Sequence, residues 1–201
     1  MKQITNRPTK ILVVVCLAVG VCTSLAGAAN SARETPGVKA AELSAGEVIN
    51  GYRQWTQVNP TPNVFASRIA IQCAAPNPDQ FKMEAANPHR DKYIVVYVND
   101  VGRHAMMQEK VPHFPEGSVI VKEKLPAKDS RTPELLTVMM KRESGYNPQS
   151  GDWEYMALDG TGKEVQARGR LANCQACHLM HKDSDYVSRN YLPYELWKKL
   201  R

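Results

Sequence analysis

The chain has 201 residues, 43% of them apolar, which is enough for one ordinary domain with a real hydrophobic core. Its 26 Lys and Arg against 20 Asp and Glu give a formal charge of +6, with no concentrated basic stripe, and this argues against a nucleic-acid partner. There is no internal repeat and no low-complexity tract.

Residues 1–28 read as a signal peptide. Lys2, Arg7 and Lys10 precede the apolar run Ile11 to Val19, no acid appears before Glu34, and small residues at Ala26 and Ala28 suit cleavage after Ala28. The apolar stretch is nearly long enough to span a bilayer, so an uncleaved membrane anchor is the rival reading. Gly20, Thr23, Ser24 and Gly27 thin its second half and favour cleavage, which predicts export to the periplasm. Removing this segment, with its three bases and no acid, leaves 173 residues and a formal charge of +3. That balance suits an acidic redox partner, with plain solubility as the simpler reading.

Residues 29–43 form a polar, flexible lead-in to a domain over 44–201. Ser44 to Glu47 has the form of a capping box, and Val48, Tyr52 and Trp55 then fall on one face of a helix. Asn59-Pro60-Thr61-Pro62 is expected to end it. Val64 to Cys73 fits helix or strand, and Pro78 opens another short helix. The period then changes. Lys92 to Asn99 is a β-branched and aromatic strand, Gly102 to Lys110 a short helix, and Ser118 to Leu125 a second strand. Strands follow at Leu135 to Arg142, Trp153 to Asp159 and around Val165 to Arg168, joined by Gly- and Pro-rich turns. The fold class read from this order is α+β: mainly an antiparallel β-sheet meander with flanking helices and a C-terminal helical segment.

That last segment carries Asn173-Cys174-Gln175-Ala176-Cys177-His178. Two thiols one helical turn apart reach the two vinyl groups of a single porphyrin, and the following imidazole serves as the iron's proximal ligand. The spacing therefore predicts one covalent haem c per chain, with Cys174 and Cys177 as attachment residues and His178 on the metal. Half of a zinc site, a thioredoxin-like redox pair and chance are the alternatives. Zinc needs a second ligand pair, and Cys73 has none beside it. A redox pair would sit early, beside a βαβ pattern. Cys73 itself reads as a buried small hydrophobe, with an intermolecular disulfide or a place near the haem as other roles.

Only 23 residues follow His178, and Met180 is too close to reach the opposite side of the iron. A sixth ligand must come from upstream, where Met83, Met106, Met107, Met139, Met140, Met156, His89, His104 and His113 are available, or be absent. An open position is the expectation, and it favours small-ligand binding or redox chemistry over simple electron transfer.

Four stretches in order, Tyr97 to Asp100, Phe114 to Glu123, Gly151 to Tyr155 and Asn173 to His178, resemble the cytochrome P-460 family, which includes the cytochromes c′-beta. The resemblance covers about Gly51 to Pro193. It implies a homodimer with five-coordinate haem, acting on hydroxylamine through a lysine-cross-linked haem or binding nitric oxide or carbon monoxide in an apolar pocket. Lys122 occupies the place of the cross-linking lysine. An unmodified lysine at a sheet edge or beside a propionate is the alternative. Alternation sets Ile120 and Lys122 on one face and Val119, Val121 and Glu123 on the other, and Lys124 suggests that the first face soon meets water. The hydroxylamine-oxidising members carry a distal carboxylate, which can take protons from the substrate nitrogen. Here those places fall near Ile94 and Thr137, with Glu134 or Glu143 as the nearest acids and Phe65, Phe81 or Phe114 as pocket walls.

Overall fold

A computed structural model describes residues 44–64, 78–79, 82 and 92–200. The expected export segment, the lead-in, and Phe65, Cys73, Phe81, Met83 and His89 lie outside the described residues. Pro78, Asp79 and Lys82 are helical, as expected.

The capping box forms at α1 (Ala45–Val48): Ser44 Oγ accepts from the Glu47 N–H at 3.2 Å, and the Glu47 carboxylate accepts from the Ser44 N–H at 2.7 Å. The helix does not continue through Trp55. Gly51 takes a left-handed φ of +66° and a 3₁₀ turn, Tyr52–Gln54, follows. Val48, Tyr52 and Trp55 nevertheless share one hydrophobic cluster, so the burial implied by their spacing is achieved by a broken helix. The turn brings the Tyr52 hydroxyl and the Arg53 guanidinium to the buried Glu123 carboxylate, at 2.6 and 2.7 Å.

Among the described residues seven strands make one antiparallel sheet: β1 (Thr56–Gln57), β2 (Asn63–Val64), β3 (Tyr93–Val98), β4 (Val119–Leu125), β5 (Leu135–Lys141), β6 (Trp153–Asp159) and β7 (Val165–Gly169). From β3 to β7 it is the expected meander, while β1 and β2 both pair with the outer edge of β3. These two short strands replace the expected helix stop. Pro60 and Pro62 cannot donate to a ladder, and just before them the strand edge is served by Asn59. Its amide accepts from the Val96 N–H and donates to the Ile94 carbonyl, both at 2.8 Å, standing in for a missing stretch of backbone.

Alternation on β4 holds. Ile120 joins a first cluster with Ile94, Val96, Val98, Met139, Trp153 and Tyr155, whereas Val119 and Val121 join Leu136, Val138, Met140, Met156 and Leu158 in a second. Helix α2 (Asp100–Met107) covers the first face with Ala105 and Met106, its N-terminus capped by Asn99. The C-terminal segment covers the rest through Tyr186, Val187 and Leu192. Arg189 ties that segment to the end of α2 by donating to the carbonyls of Glu109 and Lys110. Phe114 lies in the same core, edge-on to Trp153 at 5.5 Å, and serves as packing.

On the second face Glu154 is buried between Arg142, at 2.9 Å, and Arg168, at 2.8 Å. Removing its carboxylate leaves the buried Arg142 without its main counter-charge. Glu154→Ala is expected to destabilise the protein by about 3–5 kcal/mol, read as a lower urea midpoint with an unchanged slope.

Candidate haem site

The Cys174-to-His178 stretch lies in α3 (Ala172–His178), which follows β7 directly. The helix has seven residues, no side-chain N-cap and no fully buried residue, so packing and hydrogen bonds made elsewhere set its place. Cys174 and Leu171 pack against the first cluster, while Cys177 is exposed. Three residues apart, the two sulfurs fall on neighbouring turns of one helical face.

His178 is fixed by its neighbours. Its Nδ1 lies 2.7 Å from the Tyr186 carbonyl, and because a carbonyl only accepts, Nδ1 carries the proton. That leaves the Nε2 lone pair available to a metal. Burial pushes the ring's pKa down to about 4, against the opposing pull of that hydrogen bond, so the imidazole is neutral at ordinary pH. The Tyr155 ring packs at 5.4 Å from the imidazole, and its hydroxyl is bonded to Ser150 Oγ at 2.8 Å. Burial pushes the Tyr155 phenol up to about 12 and keeps it protonated.

Lys122 reaches the same place from β4. Its amine is within electrostatic reach of both Cys174 and Cys177, and it acts in turn on His178. Desolvation, helped by the like charge of Lys124, lowers its pKa to about 8. The strand is central, between β3 and β5, so the sheet-edge alternative for Lys122 does not apply. Its cross-strand neighbours are Val96 and Thr137, with Ala157 next in the row on β6.

The expectation that this face soon meets water is corrected by Lys124, which is only 2% exposed. It stands between Ile94 and Leu135, and desolvation lowers its pKa to about 8, with the Glu134 carboxylate opposing.

No carboxylate among the described residues is positioned beside Lys122 for proton transfer. Glu134 holds Lys92 at 2.7 Å, and Glu143 lies with Arg142 in the Glu154 cluster of the second face. Asp159, at the far end of the first face, is occupied by Thr161, Lys163 and Glu164 of its own turn. Ile94 and Thr137 both fall on the Lys122 face. Several candidate sixth ligands also drop out. Met140 and Met156 face the other way, His113 is exposed, and His104 is exposed and paired with Glu109.

The sequence model of the cytochrome P460 family matches residues 49–189, close to the span the four stretches suggested. The chain belongs to the cytochrome P460 family. A comparison with curated proteins finds no match. Membership makes this a c-type haem protein, and the residues present fit a haem. Two cysteines on one helical face, a neutral histidine with Nε2 unprotonated and the sheet face that carries Lys122 meet at one place.

Sequence reasoning named Cys174, Cys177 and His178 as the residues that would hold a haem, and it did not name the groups that contact His178. The Tyr186 contact is made by a backbone carbonyl, which carries no residue-type signal. Asp185, Lys141 and Tyr155 had none beyond burial, and Lys124 had the right alternation but was read as a sign of solvent.

Proposed function

We propose that this is an exported, periplasmic monohaem cytochrome with one haem c per chain. Thioethers from Cys174 and Cys177 hold the haem, His178 is the sole protein ligand to iron, and the open position takes a small nitrogen species, nitric oxide foremost. When bound, the haem supplies an iron centre for ligand binding and one-electron redox change. The chain's part is to hold His178 neutral and oriented, to keep water from the Val96, Thr137 and Ala157 surface and, among the described residues, to place no carboxylate beside the ligand. The protein works as a homodimer and exchanges electrons with an acidic redox partner. The observation that carries this reading is that no carboxylate among the described residues stands beside Lys122, with Glu134, Glu143 and Asp159 each paired elsewhere. A gas needs no proton removed to bind, whereas hydroxylamine oxidation does.

A second reading, an oxidoreductase acting on hydroxylamine, draws on the Lys122 amine. To bond to the porphyrin edge it must be neutral, and a pKa of about 8 leaves roughly a tenth of it neutral at pH 7. Lysine placement favours this bond. The surrounding side chains do not favour the turnover.

Three outcomes are expected. Acid-acetone treatment of the denatured protein should leave haem on the chain, and Cys174→Ala/Cys177→Ala should release it; haem that extracts freely from the unaltered protein would sink the attachment. The dithionite-reduced protein should take up carbon monoxide and nitric oxide with a shifted Soret band, whereas a low-spin spectrum indifferent to both would restore simple electron transfer. Steady-state hydroxylamine oxidation with an artificial acceptor should be slow or absent, whatever peptide mapping shows at Lys122. Fast turnover with a haem-bound Lys122 peptide, both lost in Lys122→Leu, would make this an enzyme.

A further inference from the structure

The carbonyl that meets His178 belongs to an unusual turn. Asp185 and Tyr186 both take left-handed φ, +52° and +62°, a conformation unfavourable to residues with a side chain. Such a turn persists only where its surroundings hold it, and here the sheet does so from several directions. Both Asp185 carboxylate oxygens accept from Lys141 Nζ at 2.7 Å, in a pair whose side chains are 8% and 11% exposed. The Phe114 N–H donates to the same carboxylate at 2.9 Å, and Trp153 Nε1 donates to the Asp185 carbonyl at 2.8 Å. Lys141 Nζ also lies 5.1 Å from the centre of the Trp153 ring. Gly151 makes room: a Cβ there would come within 2.6 Å of the Tyr186 ring and 2.9 Å of the Asp185 carboxylate. One residue beyond this anchor, the Tyr186 carbonyl receives the His178 proton.

We propose that Lys141 and Asp185 are positioning residues for the iron's histidine: their buried ion pair fixes the Tyr186 carbonyl against His178 Nδ1 and thereby sets how strongly the imidazole donates to iron. This rests on His178 being the axial ligand. A firm Nδ1–H···O=C bond draws the proton from the ring and makes the imidazole a stronger donor, which favours the oxidised iron. Without the ion pair the turn relaxes, the bond lengthens and donation falls.

The test uses the haem-loaded protein. Lys141→Met alone leaves a buried carboxylate unpaired and risks misfolding, so it is read beside Lys141→Met/Asp185→Asn, which removes both charges at similar volume. In each, the ferrous iron–histidine stretching band in resonance Raman should move to lower frequency and the midpoint potential should move positive. Lys141→Arg should keep both near their original values. Arg168→Met, which breaks an ion pair on the other face, should change neither. A double variant with an unshifted band and potential overturns the proposal, even if its thermal midpoint falls, because a purely structural staple would behave that way. An equal shift in Arg168→Met overturns it too. Should neither Lys141 variant accumulate folded, Trp153→Phe, which deletes the N–H to the Asp185 carbonyl together with part of the buried indole, decides by the same criteria. An iron–histidine band missing from the unaltered ferrous protein would remove His178 as the sole axial ligand, and this inference with it.

Discussion

The buried ion pair between Lys141 and Asp185 ties the C-terminal tail to the sheet. Helix α3 buries none of its residues fully, and the 3₁₀ segment Leu179–Ser184 after it buries none either. Their hydrophobic contact with the first cluster is partial, through Leu171 and Cys174. The tail is further fastened at a buried turn, by a charge at the end of β5, an indole at the start of β6 and a backbone N–H before β4. Buried ion pairs seldom add much net stability, since desolvation offsets most of the attraction. What this one supplies is a single geometry for a turn that would otherwise have several.

The sheet separates two electrostatic environments. Its second face holds buried carboxylates, Glu123 and Glu154, each neutralised by cationic side chains or a phenol brought from another element. Its first face carries amines, Lys122 and Lys124, among aliphatic and small side chains, and its nearest acids are engaged at the periphery. The same alternation that sends Glu123 away from the motif sends its two lysine neighbours toward it. Among the described residues that face therefore carries cationic groups and no carboxylate beside Lys122.

Where the reading from sequence departed from the structure, a local rule was overridden by a particular residue. The periodicity of Val48, Tyr52 and Trp55 correctly named members of one hydrophobic cluster and wrongly implied one helix, because Gly51 allows a reversal that carries Arg53 to Glu123. The prolines around Asn59 do break regular structure, but the Asn59 amide replaces the lost backbone pairing and lets two short strands share the edge of β3. Lysine alternating on a strand ordinarily marks a solvated face. Lys124 is buried because β4 is central and Ile94 and Leu135 flank it.

By itself the sequence determined the elements whose signals are local: the capping box, the β-branched runs of the meander, the alternation of β4, and the Cys174, Cys177 and His178 spacing on one helical turn. Those patterns depend on neighbours within a few positions, so they can be read without coordinates. Only the tertiary structure decided that Lys122, from the middle strand, stands beside cysteines some fifty positions later. It alone showed that the imidazole's proton is held by a backbone carbonyl, and that Lys141 and Asp185, 44 residues apart, fasten the turn that presents it. The reason is physical. Hydrogen bonds to main-chain atoms and pairings between distant strands leave no mark on composition or period, and they exist only once the sheet has brought the segments together.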